Sequence, residues 1–370
     1  MKTRDAVLDY QKTIKDTETY QKDLDLVEPI SAIELEVQCT NGATSNLNNF
    51  LSDIVTKIEV VDGSEVLYSL NMSQLEALQF YKTGKMPTIF PSEWAGGQQR
   101  HNALLMFGRH LWDRDYAFNS KNFKNPQLKV TMNKAAIRAA SATGFATGDN
   151  ILLTTVAKVF EDVPAPGAFL MAKQIENFTS AASGEKRIEL PTDYIYRMLL
   201  TRFWIQLSDI NEIITDLKLT CDTDKFIPIN RKVQQLDAAA FAMFGAGRVK
   251  HDIRANDNTQ TRLIFNKEPD CRLFQTTQNL FDIIGIAYQW SSEIKIWLGT
   301  HAGVADTTVR ELTMVEEGHA PHATLPIPFG RVMNPEDWFD PTAYKKLELV
   351  LTQAVVSGVC EIAAEQVRPQ

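Results

Sequence analysis

The sequence predicts an all-β protein built from two tandem sandwiches. Two observations carry that expectation: an internal repeat, and many short strands of alternating polarity separated by turn residues. The repeat is clearest where Leu104-Leu105-Met106-Phe107-Gly108-Arg109 leads through Asp115-Tyr116 to the strand-like run Leu128–Met132. Further on, Leu325-Pro326-Ile327-Pro328-Phe329-Gly330-Arg331 leads through Asp337-Trp338 to Leu347–Leu351. The Phe-Gly-Arg and Asp-aromatic pairs share an offset of about 222 residues, and the strands lag it by about three, a difference that loop length absorbs.

An upstream pair follows the same order. Ile54–Val60, an acidic turn and Gln74-Leu75-Glu76-Ala77 with Phe80 match Ile213–Leu219, another acidic turn and Gln235-Leu236-Asp237-Ala238 with Phe241. Here the offset is about 160, so the second copy carries roughly 60 extra residues, from about Arg248 to Pro321. Added length of this kind is tolerated at a surface, which makes 248–321 the expected site of a projecting feature.

Taken in order, residues from Thr3 to Leu24 place Val7, Tyr10, Ile14 and Leu24 at helical spacing, with Thr17 in the gap, and predict a weakly amphipathic helical arm over 1–29. Strands are expected at Ala32–Gln38, Ile54–Val61, Glu65–Leu70, Leu128–Met132 and Ile151–Phe160, the first sandwich spanning 30–165. The Pro- and Gly/Ser-rich stretch around Val163–Gly167 and Ala181–Lys186 marks a connection over 166–192. The second sandwich, 193–370, is expected to hold strands at Tyr194–Gln206, Ile213–Thr220, Lys225–Ile229, Tyr344–Thr352 and Gly358–Val367, with a helix over Arg231–Phe244. Within the insertion, Arg262–Phe265, Ile283–Trp290, Glu293–Leu298 and Val309–Val315 read as strands, although Leu280–Tyr288 also fits a helix.

Composition narrows the function. With 370 residues, 44% apolar and 23% charged, the chain is long enough for two ordinary globular cores. A net charge of −8 argues against direct, sequence-specific nucleic-acid binding, which needs clustered Lys and Arg. No run is long enough to span a membrane, and Met-Lys-Thr-Arg-Asp begins no signal peptide, so synthesis and folding in a cytoplasm are expected. Cys39, Cys221, Cys271 and Cys360 stand too far apart for a zinc ribbon and read as reduced thiols.

Candidate chemistry is sparse. His301, His319 and His322 with Glu316 and Glu317 are the one grouping with metal-ligand character, but neighbouring Gly303, Gly318 and Pro321 favour a solvated loop. The runs Ala95-Gly96-Gly97, Gly144–Gly148 and Gly245–Arg248 lack phosphate-loop spacing and read as turns. No Gly-x-Ser-x-Gly elbow occurs, and the Asn71 and Asn177 glycosylation patterns are coincidental without secretion. No catalytic, cofactor or metal residue is assigned. The two Phe-Gly-Arg segments are expected to be structural, with Phe in the core, Gly at a bend and Arg pairing locally.

This layout resembles the double jelly-roll major capsid proteins, the hexon-type shell proteins of tailless icosahedral viruses. The strongest match is Leu325–Phe329 leading through Asp337 to Tyr344–Leu349, similar to that family's proline-phenylalanine segment; Leu104–Arg109, its first-copy equivalent, lacks the prolines. The resemblance implies two eight-stranded jelly rolls side by side, a homotrimer of pseudo-hexagonal outline and a shell tiled by such trimers in a virion. It also implies penton and minor capsid partners and an internal membrane beneath some shells, and no enzymatic activity. Two other readings of the residues are a two-domain β-sandwich carbohydrate-binding or carbohydrate-processing protein, for which the six tryptophans and nine tyrosines would line a sugar platform, and a trimeric viral spike or adhesin.

Overall fold

The computed structural model describes residues 2–140, 144–275, 284–289, 292–299, 304–305 and 307–370. In the first half, β1 (Thr3–Ile14), β2 (Thr17–Asp23), β3 (Ile30–Thr40), α1 (Leu51–Ile54), β4 (Val55–Asp62), β5 (Glu65–Leu70) and α2 (Met72–Thr83) come first. After them run β6 (Thr88–Phe90), β7 (Gln98–Met106), β8 (Pro126–Asn133), α3 (Lys134–Ala140) and β9 (Ile151–Phe160). The second half opens with β10 (Ala168–Thr179), β11 (Gly184–Leu190), β12 (Tyr196–Trp204), α4 (Ile210–Ile213), β13 (Ile214–Cys221), β14 (Phe226–Lys232) and α5 (Val233–Phe244). The insertion holds β15 (Gly247–Ala255), β16 (Thr259–Arg262), β17 (Phe265–Gln275), β18 (Ile284–Gln289), β19 (Glu293–Gly299) and β20 (Arg310–Pro321); β21 (Thr324–Pro328), β22 (Leu347–Gln353) and β23 (Val359–Pro369) close the chain.

Strand order shows the duplication directly. Sheet β1-β9-β3-β7, extended by β6, faces sheet β2-β8-β4-β5; the second half repeats this as β10-β23-β12-β21 against β11-β22-β13-β14. Each half is therefore an eight-stranded jelly roll. The halves are joined edge to edge, because β5 and β10 run parallel at Ser69 and Lys173 and fuse two sheets into one. Alternation drives the sandwiches: Ile33, Leu35, Val37 and Cys39 of β3 point into the core while Glu34, Glu36 and Gln38 face out, each buried apolar side chain contributing about 1.5–3 kcal/mol. One apolar core lies in each half, a third lies in the insertion around Ile253, Ile296, Leu312 and Met314, and a small fourth joins Phe50 and Ile89 to Val249, Ile264 and Phe265 of the insertion.

Two expectations fail together. The N-terminal segment is not a helical arm but β1 and β2, which pair with β9 and β8 and so supply one edge strand to each sheet of the first jelly roll. The residues that spell the helical spacing are misleading: Val7 and Tyr10 are 63% and 73% exposed, while Ala6, Ile14, Tyr20 and Leu24 are buried. Register shifts at Val7/Asp9 and Asp9/Lys12 break the two-residue alternation by which a strand is recognised. Likewise the connection expected at 166–192 is mostly β10 and β11, the corresponding pair of the second jelly roll, so the irregular link shrinks to the residues before Ala168. A smaller correction concerns Arg262–Phe265, where β16 ends at Arg262 and β17 starts at Phe265.

The Phe-Gly-Arg segments occupy equivalent positions, as expected of a structural role. The Phe107 amide donates to Ser31 at 3.0 Å and the Phe329 amide to Arg197 at 3.0 Å, and Ile30 and Tyr196 each exchange both backbone bonds with Phe118 and Phe339 respectively. Arg109 grips Asp113 at 2.7 and 2.8 Å and also Asp115, while Arg331 grips Asp337. Both bends need glycine for room. A Cβ on Gly108 would lie 2.6 Å from the Asp113 Cβ, and one on Gly330, whose φ is +67°, would lie 2.4 Å from the Asp337 Cβ. Gly63 offers a control, with φ +59° and nothing within 4 Å. Gly63→Ala is expected to cost about 1–2 kcal/mol from the left-handed backbone alone, and Gly330→Ala clearly more; equal shifts of the unfolding midpoint would show that the close approach is unimportant.

Candidate assembly surfaces

Helix α2 forms because Asn71 caps it reciprocally with Gln74, the Asn71 side chain accepting from the Gln74 amide at 2.8 Å and the Gln74 side chain accepting from the Asn71 amide at 3.1 Å, and because Gly84 ends it at φ +69°. Every residue from Met72 to Lys82 is buried, although Ser73, Gln74, Glu76, Gln79 and Lys82 are polar or charged. Such burial is tolerable only when each polar group is partnered. Gln79 accepts from the Leu104 amide at 2.7 Å, and Gln74 donates to Gln174 and Glu361, both at 3.1 Å. The last two acceptors belong to the second jelly roll, so α2 lies in the joint between the halves.

Ionic groups complete that joint. Lys82 meets Glu365 of β23 at 2.5 Å and donates to the carbonyls of Met106 and Gly108 at 3.0 and 2.9 Å; Arg197 of β12 pairs with the other Glu365 oxygen. All three side chains are fully buried. Burial opposes the charge on Glu365, but the two cations hold its pKa below the usual carboxylate range. Nearby, Glu76 accepts from His101 Nδ1 at 2.7 Å and from His322 Nε2 at 2.5 Å. Burial works against its charge too, yet the imidazoles prevail and its pKa lies at about 2.

A third buried group fastens the insertion to the first jelly roll. His251 of β15 meets Glu316 of β20 at 2.7 Å and Glu93 at 3.4 Å, while the Glu316 carboxylate accepts from the amides of Ile264 and Phe265 at 3.1 and 2.5 Å. Despite burial, the two carboxylates raise the His251 pKa to about 9; burial pushes that of Glu93 up as well. Arg262 adds a bridge, pairing with Asp53 at 2.8 Å and lying over the rings of Phe50 and Trp204.

These placements revise the expected solvated loop. His319, His322 and Glu316 are buried, His319 pairing with Asp237 of α5 at 2.9 Å, whereas Glu317 is exposed and His301 lies outside the described residues. Among the described residues no three His, Cys, Asp or Glu side chains stand together as a metal site would require. The glycine runs before Gln98, Ile151 and Arg248 lead into strands rather than opening helices, so they lack the dipole geometry of a phosphate cradle. Cys39, Cys221 and Cys360 are buried, Cys271 is partly so, and none of the four is joined in a disulfide. Sequence reasoning found neither the Lys82–Glu365–Arg197 group nor the role of α2, because their partners lie hundreds of residues apart.

No protein-family model and no curated protein matches the sequence. Among solved structures, the chain is similar to one in the atomic structure of Sulfolobus Turreted Icosahedral Virus (14% identical, TM-score 0.60, covering 99% of this chain and 90% of that one). It is similar to a chain of the PBCV-1 virus capsid (10% identical, TM-score 0.60, 99% and 93%). A third similarity is to the major capsid protein P2 from bacteriophage PM2 (12% identical, TM-score 0.55, 100% and 98%). At such identities the likeness establishes the fold, a double jelly roll along the whole chain.

Two outcomes test the joint. Glu365→Ala strands two buried cations and is expected to lower stability by about 3–5 kcal/mol, whereas Lys82→Met, which leaves the Arg197–Glu365 pair intact, is expected to cost less; denaturant titration checks both. For pH the sign follows from proton counting. Between pH 6.5 and about 9 folded His251 holds more protons than the unfolded chain, so its contribution is full below 6.5 and is lost as pH rises through 9. Glu76 behaves oppositely, its contribution disappearing as pH falls from about 4.5 towards 2. Melting curves should therefore show an alkaline decline that His251→Gln flattens.

Proposed function

We propose that this chain is the major capsid protein of an icosahedral virus, assembling as homotrimers of pseudo-hexagonal outline that tile the shell. The observation that carries the reading is the whole-length likeness: 99–100% of the chain is covered by structures described as an icosahedral virus, a virus capsid and a major capsid protein. The architecture gives the physical reason. Two near-equivalent jelly rolls per chain, taken three times, present six similar sides, so nearly the same contact can recur throughout a hexagonal lattice.

The insertion over 248–321 is the outward tower in this reading. It springs from the second jelly roll between α5 and β21, and added bulk is tolerated only away from lateral contacts. Penton and minor capsid proteins are the further partners, the virion shell is the location, and assembly takes place in the host cytoplasm. Where a membrane lies beneath the shell, contact falls on the end of the jelly rolls remote from the tower. Each trimer joint is expected to bury more than about 2,000 Å², as obligate contacts do.

Light scattering and electron microscopy test this directly. Purified protein is expected to show three times the 41.7 kDa chain mass over a wide concentration range and to form hexagonal arrays or closed particles when concentrated. A persistent monomer would overturn the proposal.

A further inference from the structure

The internal joint specifies its own external counterpart. Within the chain, the outer face of β10, β12 and β23 carries Met171, Ala172, Met198, Leu200 and Ala363, all sealed in one core with Leu67, Leu75, Leu78 and Leu105 from β5, α2 and β7. The same groove recurs in the second jelly roll between β14, α5 and β21, and there it is open. It measures about 460 Å³ and is lined by Ile229, Leu236, Ala240, Met243, Pro326 and Ile327. Its helix differs from α2 accordingly: only Val233, Leu236, Asp237 and Ala240 of α5 are buried, and Phe241 and Met243 are exposed.

The matching occupant face is uncovered too. On the outside of β3 and β9, Glu34, Glu36, Thr154, Val156 and Lys158 are half-exposed, at positions equivalent to Leu200, Arg202, Glu361, Ala363 and Glu365. Alongside them β1 is an edge strand without a second neighbour among the described residues, and β14 is another. Strands β2, β6, β11 and β21 also end sheets, but only β1 and β14 are the equivalents of the internally paired β10 and β5, so the internal joint is a template for this pair of edges alone.

We infer that β1 of one chain pairs in parallel with β14 of a second copy, the β1-β3-β9 face of the first seating on the α5–β21 groove of the second. The inference rests on the trimer reading above and specifies its interface. Register follows from the internal pair: Lys173, which pairs with Ala364, corresponds to Ala6, which pairs with Ala157, and Ser69 corresponds to Asn230, each lying beside the equivalent strand of its own hairpin. Ala6 therefore lies beside Asn230 of the neighbouring copy, with Val7 next to Arg231. Charge agrees in sign, since β14 ends on exposed Arg231 and Lys232 while the opposing face carries Asp5, Glu34 and Glu36 around one cation, Lys158, which pairs with Asp5 and Glu34. The contact is head-to-tail, because the two patches differ, and a head-to-tail contact propagates until it closes a ring.

The test uses the full chain. Val7→Asp with Met243→Asp alters two side chains that are largely exposed in the isolated chain (63% and 52%), so the circular dichroism spectrum should stay native while the mass in light scattering falls to one chain. Val356→Asp, at an exposed turn that belongs to neither patch, should leave the oligomer intact. In a second arm, Val7→Cys combined with Arg231→Cys should give covalent dimers and trimers on non-reducing gels after oxidation. An oligomer that survives both aspartates, or that forms without cross-linking the cysteine pair, overturns this interface while leaving the trimer standing. A wild-type chain that never associates overturns the trimer reading itself, and this interface with it.

Discussion

Everything in this molecule depends on a charged group that cannot be partly assembled. Glu365 lies between Lys82 and Arg197 with no solvent around any of them. Transferring three charges from water is costly, and the attraction that offsets that cost is lost if Glu365 is missing from between the two cations. The first jelly roll contributes the lysine and the second the glutamate and arginine, so neither half presents a stable surface here without the other. That requirement holds α2 against β10 and β23 of the second sandwich. Glu76 with its two histidines and Glu361 with Asn71, Gln74 and Arg202 extend the same logic along the helix. A joint of this chemistry is permanent and geometrically specific rather than adhesive.

Comparison of the two helices shows how one architecture yields two kinds of contact. At the positions where α2 has Gln79 and Lys82, α5 has Ala240 and Met243. The internal joint is ionic and closed, whereas the open groove has an apolar floor of Ile229, Leu236, Ala240 and Met243, with Asn230 and Arg231 also lining it. The charges at the open groove stay exposed in the single chain, which suits a subunit that folds first and associates afterwards. The edge-to-edge parallel pairing of β5 with β10 adds direction, since it sets which jelly roll follows which.

Legibility in the sequence divided along physical lines. The all-β class and most middle strands were readable because β3, β8 and β9 alternate cleanly, with one face buried and the other half-exposed. The Phe-Gly-Arg turns were readable because their partners are local. The first two strands of each jelly roll were not. Bulges interrupt β1, β2 buries only Tyr20, and β10 with β11 mixes charges into a stretch flanked by Pro and Gly. The joint was the hardest to see, because Gln74, Glu76, Gln79 and Lys82 give α2 the composition of a surface helix. His322 likewise sits among Gly and Pro residues, and its partner Glu76 is 246 residues away. Polar residues reveal burial only when their partners are known.

The account's central claim is that the joint seen once inside the chain is the element from which a closed ring of jelly rolls is built. A cryo-electron microscopy map of the purified oligomer tests it most directly. The account predicts six β-sandwich lobes around one axis, with three projecting insertions on the same side and the α5 groove of each chain filled by β1, β3 and β9 of the next. A map in which that groove faces solvent, or in which the lobes do not number six, would contradict it.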